Sequence, residues 1–123
     1  DWIRLLPPRS DVGSYYRFAD VFLSPSREEG FCYALVEAVY CKVPVVASAI
    51  DAQKDLRLPE SAFCVPGDVK SLAEAILRQL EQTRSESQDA ALEEAKRRVV
   101  AAYSLSAWAD AVALSYRNLL RRP

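Results

Sequence analysis

Residues 21–48, VFLSPSREEGFCYALVEAVYCKVPVVAS, decide the fold. Val21-Phe-Leu-Ser24 is an apolar run of strand length, stopped by Ser24-Pro25-Ser26. Its apolar character is continuous rather than alternating, which indicates burial on both faces, as in a parallel sheet. A loop, Arg27 to Gly30, follows. The segment Phe31 to Cys41 then places Ala34, Leu35, Ala38, Val39 and Cys41 at helical spacing, with an end expected near Lys42. Pro44-Val-Val-Ala47 supplies the next buried strand. Strand, loop, helix and strand in that order form the unit from which parallel sheets are wound.

Working outward, Trp2-Ile-Arg-Leu-Leu6 is a short apolar run closed by Pro7-Pro8, and it reads as a strand. Asp11 stands where its carboxylate can cap a helix from Val12 to Phe18, which Tyr15, Tyr16 and Phe18 would pack down. Downstream, Ala62-Phe-Cys-Val65 reads as a further strand. Asp68 is placed to cap a helix carrying Val69, Leu72, Ala73, Ile76 and Leu80 on one stripe. A polar break around Thr83 to Asp89 leads to a charged helix through Ala101. A last helix, from about Ser106, carries Trp108, Val112, Tyr116 and Leu119 on one face, with Arg117, Arg121 and Arg122 at its end. The expected fold class is α/β, a Rossmann-like parallel sheet with flanking helices and a helical C-terminal tail. Four short strands are fewer than such sheets usually have, so further strands are expected upstream.

Composition narrows the chemistry. The 123 residues are half apolar and 27% charged, with a formal net charge of -1, the make-up of one globular domain. Few clustered cations leave no footprint for neutralising nucleic-acid phosphates. Cys32, Cys41 and Cys64 are widely spaced within apolar runs and read as core thiols rather than a disulfide framework or zinc site. The longest apolar stretch, near Val43 to Ile50, is too short to cross a bilayer. With no histidine present, a Ser-His-Asp triad, a Cys-His pair or a His-based metal centre cannot be built from this chain.

The loop Pro25 to Gly30 lies between a buried strand and a helix, where ligands bind at the carboxyl edge of a parallel sheet. Unpaired amides from Phe31 to Ala34 can converge on a diphosphate, helped by the helix dipole, and Gly30 would let the backbone approach closely. Glu37 lies one helical turn after Tyr33, so its carboxylate can project near the same end, suited to accept from ribose hydroxyls. Two glutamates eight apart say little alone; the strand before them, the Gly30 turn and the Pro44 strand after them give the pair its context.

The stretch Ser24 to Ser48 resembles the Glu-x7-Glu region of family 4 glycosyltransferases, retaining enzymes of the two-domain GT-B architecture, with Glu29 and Glu37 at the matching spacing. Tyr16-Arg-Phe-Ala-Asp-Val-Phe-Leu resembles that family's entry into the preceding strand. Phe63-Cys-Val-Pro-Gly-Asp68 and Leu72-Ala-Glu-Ala-Ile76 are similar to its later strand, turn and helix, so the resemblance covers nearly the whole chain. By it, Glu29 is the candidate catalytic residue, binding hydroxyls of the transferred sugar. Gly30 and the backbone of Phe31 and Cys32 would line that sugar, the amides of Tyr33 and Ala34 would meet the diphosphate, and Glu37 would hold the ribose. Cys32 and Lys42 stand where the family often has glycine.

The resemblance implies that residues 1–123 are the nucleotide-sugar-binding domain, without its first strands and without the N-terminal acceptor domain. The parent would move a sugar from a nucleotide diphosphate sugar to a hydroxyl acceptor, a saccharide or lipid-linked molecule, with retained anomeric configuration. It implies no cofactor and no metal, a role in polysaccharide biosynthesis, and a cytoplasmic location, including the inner face of the membrane, with peripheral membrane contact through the missing domain. An open sheet edge or face also favours self-association. The rival readings are a non-catalytic nucleotide-sugar-binding or assembly module and an epimerase of GT-B type.

Overall fold

The computed structural model describes residues 2–82 and 86–121. Three strands, β1 (Phe22–Ser24), β2 (Val45–Ser48) and β3 (Phe63–Cys64), form a parallel sheet in that order, with Phe22 opposite Val45 and Ala47 opposite Phe63. Between and after them come α1 (Val12–Phe18), α2 (Tyr33–Tyr40), the short α3 (Asp51–Lys54), a 3-10 turn (Glu60–Ala62), α4 (Val69–Gln82), α5 (Glu86–Tyr103) and α6 (Leu105–Leu120).

Central strand β2 is buried along its whole length, as its unbroken apolar run requires. Because successive strand residues face opposite ways, it feeds two cores. Val45 and Ala47 pack with Leu35, Ala38 and Val39 of α2 and Val99 of α5, while Val46 packs with Cys64, and with Ala75, Leu72 and Ile76 of α4. Helices therefore cover both faces, the doubly wound arrangement. Strand β1 is an edge strand, and Leu23 is exposed, so the expected burial on both faces holds for β2 but not for β1.

Two turns set the geometry around the sheet. Helix α2 ends with Lys42 in the left-handed region, at φ 60°. There Lys42 N–H donates to Val39 O at 3.0 Å and Val43 N–H to Ala38 O at 3.0 Å, the pair of bonds that defines a Schellman ending. After β3, Gly67 adopts φ 77° and Asp68 N–H returns to Val65 O at 3.1 Å, a turn that needs glycine at its third position. Asp68 Oδ1 then accepts from the amides of Lys70 and Ser71 at 2.9 and 3.0 Å, capping α4 as expected.

Other expectations are corrected. Trp2 to Leu6 is not a strand: no strand of the sheet pairs with it, and Trp2, Ile3 and Leu5 stand exposed. Asp11 precedes α1 but caps no amide with its carboxylate, which instead meets the Arg9 guanidinium at 2.8 Å. Of the three aromatics assigned to packing α1, only Tyr16 is buried; Tyr15 and Phe18 are exposed. The buried line of α4 runs through Leu72, Ala75, Ile76 and Gln79 rather than Val69, Ala73 and Leu80, which face outward. The last helix begins at Leu105, with Ser104 Oγ accepting from Ala107 N at 3.2 Å. Thr83 to Ser85 of the expected break, and Arg122, lie outside the described residues.

Within Ser87–Leu120, taken as one stretch, an 18-residue window is long and apolar enough to cross a membrane by length and composition alone. Extended backbone at Ser104, φ -66° and ψ 155°, divides it into α5 and α6. Helices of 18 and 16 residues reach about 27 and 24 Å at 1.5 Å per residue, each short of the ~30 Å hydrocarbon core.

Candidate functional site

Parallel strands aim their carboxyl ends at one edge, so Ser24, Ser48 and Cys64 terminate together. Loop 25–32 leaves that edge from Ser24 and returns into α2. No side chain caps the N-terminus of α2: Cys32 occupies the capping position, and its Sγ turns to Ser24 Oγ at 3.4 Å instead. The amides at the start of α2 therefore keep the donor capacity and partial positive charge that suit an anion. Tyr33 and Ala34 are exposed there, and Phe31 packs edge-on against Tyr33 with centroids 4.8 Å apart. Phe31 also tilts against Tyr103 at the end of α5, centroids 5.2 Å apart, so its ring joins the loop to the helical tail.

Glu29 is half-buried in the same loop. Its Oε2 accepts from Gln53 Nε2 at 3.0 Å, and the same nitrogen donates to Ser24 Oγ at 2.7 Å. Gln53 is fully buried, and its Oε1 has no hydrogen-bond partner; Ser48 Oγ, at the end of β2, is also buried and unpaired. Gly30 lies in open space with φ outside the left-handed region, so a methyl group added there would meet no atom within 4 Å. The expected demand for glycine at this turn is therefore not set by the protein's own backbone.

Glu37 sits one turn into α2. Its Oε2 accepts from the Tyr16 hydroxyl at 3.0 Å, and that hydroxyl also lies 3.3 Å from Ala34 O. Burial, and next the bond to Glu37, push the Tyr16 phenol up to about 12, since both disfavour the phenolate. Glu37 faces a cleft of about 630 Å³, also lined by Tyr16, Tyr40, Val99 and Tyr103, at the junction of α1, α2 and α5. Glu29 does not line this cleft. Glu29 thus precedes α2 and is held from α3, whereas Glu37 lies one turn into α2 and is held from α1, and the two do not open on one cleft. Among the described residues no three His, Cys, Asp or Glu side chains converge as a metal site.

Sequence reasoning missed Gln53 and gave Tyr16 only a packing role. The rule that parallel strands present ligands at their carboxyl ends points to the segment after β2, where Gln53 lies, but not to which of its side chains turns inward.

Comparison with known proteins places the chain in a family. The pattern of the glycosyl transferases group 1 family matches residues 1–82. A D-inositol 3-phosphate glycosyltransferase of Kineococcus radiotolerans is 36% identical over 70 residues, 55% of this chain and 16% of that protein. The O-antigen chain mannosyltransferase B of Escherichia coli is 34% identical over 82 residues, 65% of this chain and 22% of that protein. Among solved structures, a sucrose-phosphate synthase from Thermosynechococcus elongatus superposes with a TM-score of 0.72 at 32% identity, over 86% of this chain and 27% of that one. The chain thus spans 16% and 22% of the length of these two sequence relatives. Matched along most of its described length, and sharing the parallel sheet of a GT-B enzyme, the chain belongs to the glycosyl transferases group 1 family.

Proposed function

We propose that the whole protein transfers a sugar from a nucleotide diphosphate sugar to a hydroxyl acceptor with retention at the anomeric carbon, and that residues 1–123 supply its donor-binding half. The observation that carries this reading is the uncapped start of α2 at the carboxyl edge of the sheet, with Glu29 in the loop before it and Glu37 one turn into the helix. Amides there suit the leaving diphosphate, and the dipole of α2 offsets charge as the sugar bond breaks. Glu29 would accept hydrogen bonds from the transferred sugar. Gly30, Phe31 and Cys32 would line it with backbone, Tyr33 and Ala34 would offer amides to the diphosphate, and Glu37 would accept from the ribose. No cofactor or metal enters this scheme. An O-antigen chain mannosyltransferase among the relatives supports polysaccharide assembly as the setting, and the cytoplasmic face of the membrane is the location this reading proposes.

The test uses the full-length protein with a panel of nucleotide sugars, following released nucleoside diphosphate and the anomeric configuration of the product by NMR. Retained configuration with one donor is the expected result; inversion, or binding without turnover of any donor, overturns it. Glu29→Ala should lower kcat/KM for the sugar nucleotide while leaving affinity for the bare nucleotide intact. Glu37→Ala should weaken both the nucleotide and its sugar conjugate. Each contact is worth about 1 to 3 kcal/mol, as expected for a charged acceptor. Wild-type kinetics in both variants would remove these roles.

A further inference from the structure

We propose that Gln53 is a positioning residue that fixes the rotation of the Glu29 carboxylate and so turns its second oxygen to the donor sugar; this rests on the reading of Glu29 given above. Gln53 comes from α3, beyond the next strand in sequence, yet its amide is fully buried against the loop of Glu29. Nε2 has two hydrogens, and both are used, one on Ser24 Oγ at 2.7 Å and one on Glu29 Oε2 at 3.0 Å. The carbonyl Oε1 is left buried without a partner. A glutamine serving only to fill the core would gain by satisfying that carbonyl, because a buried unpaired acceptor costs stability. Turning the amide over would set Oε1 against a carboxylate oxygen, acceptor against acceptor, so the charge on Glu29 dictates the orientation. Ser24 Oγ anchors the arrangement to the end of β1.

The consequence is directional. A half-buried carboxylate on a loop rotates freely unless one oxygen is held, and misplacement of a contact group loses transition-state stabilisation in steep proportion. With Oε2 held by Gln53, Oε1 of Glu29 remains for a ligand hydroxyl. Gln53 itself is fully buried, so its contribution to donor recognition passes through Glu29.

Three variants of the full-length protein test this. Gln53→Met keeps the volume and removes both N–H groups; kcat/KM for the sugar nucleotide should fall about tenfold, the scale of one hydrogen bond to a charged group. Affinity for the bare nucleoside diphosphate should stay unchanged, because Glu29 acts on the sugar. Adding Gln53→Met to Glu29→Ala should cause no further loss. Gln53→Glu places two carboxylates together, which share a proton only at lower pH, so activity should recover as pH falls from about 8 towards 5, unlike wild type. Should Gln53→Met fail to fold, this pH profile decides alone. Equal loss of bare-nucleotide and sugar-nucleotide affinity would reduce Gln53 to a structural role. Wild-type kinetics in Gln53→Met, or a wild-type pH profile in Gln53→Glu, would overturn the proposal while leaving an impaired Glu29→Ala intact; an unimpaired Glu29→Ala removes the underlying reading instead.

Discussion

One phenol links two helices in this chain. Tyr16 is buried to 7% exposure, its ring meets Phe22 edge-on at 5.7 Å, and its hydroxyl lies within bonding distance of both Glu37 Oε2 and Ala34 O. A phenol raised from 10 to about 12 binds its proton more tightly folded than unfolded. Its contribution to stability is complete below pH 10 and is lost as pH climbs through about 12. Tyr16→Phe should therefore cost about 1 kcal/mol near neutral pH, and the gap from wild type should close between pH 10 and 12, as urea unfolding at each pH would register. The same residue marks the limit of legibility at this scale. Glu29 and Glu37 are picked out by their spacing together with the strand, turn and strand around them, all within one local segment. The partners that hold them, Gln53 and Tyr16, lie in other elements, and only the folded sheet sets those distances.

Elements with a strong local signal were the readable ones. The continuous run of β2, the period of α2 and the Asp68 cap each follow from side-chain pattern alone. Strand Trp2 to Leu6 failed because a strand exists only through a neighbour, which no single run of sequence supplies. The α4 stripe held at Leu72 and Ile76 but missed Ala75 and Gln79, which face β2 and the 3-10 turn although they are not the bulkiest apolar residues. Helix endings were half legible: Lys42 sits where glycine is the usual choice, and the structure puts it in the left-handed region. Lysine tolerates this conformation at a cost that a branched Cβ increases. Lys42→Val should destabilise by about 1 to 2 kcal/mol, seen as a lower urea midpoint with an unchanged slope. Loss of the exposed Lys42–Glu93 ion pair, 2.8 Å long, adds little to that figure.

At the scale of the whole molecule, the helical tail is thinly covered. Helix α6 buries no residue, and Leu105, Trp108, Leu114, Tyr116, Leu119 and Leu120 are all exposed. Patches of this kind mark surfaces that associate. Residues 1–123 alone should self-associate in sedimentation velocity, with mass rising with concentration, and should release no nucleoside diphosphate from donor and acceptor at rates comparable to the full-length protein. A monomer at every concentration removes the first expectation, and full turnover removes the second. The all-parallel order of the sheet has a further consequence, for how the chain reaches this state. Phe22 pairs with Val45 and Ala47 with Phe63, so no two neighbouring strands can close through a tight hairpin. Each pairing must wait until an intervening crossover has collapsed, and its loop-closure entropy is spent before any ladder bond forms. Helix α2, with local hydrogen bonds and a self-contained ending, can form on a microsecond timescale, whereas β2 is fixed only when both its neighbours arrive. Capture of β2 between β1 and β3 is therefore the expected rate-limiting event in refolding.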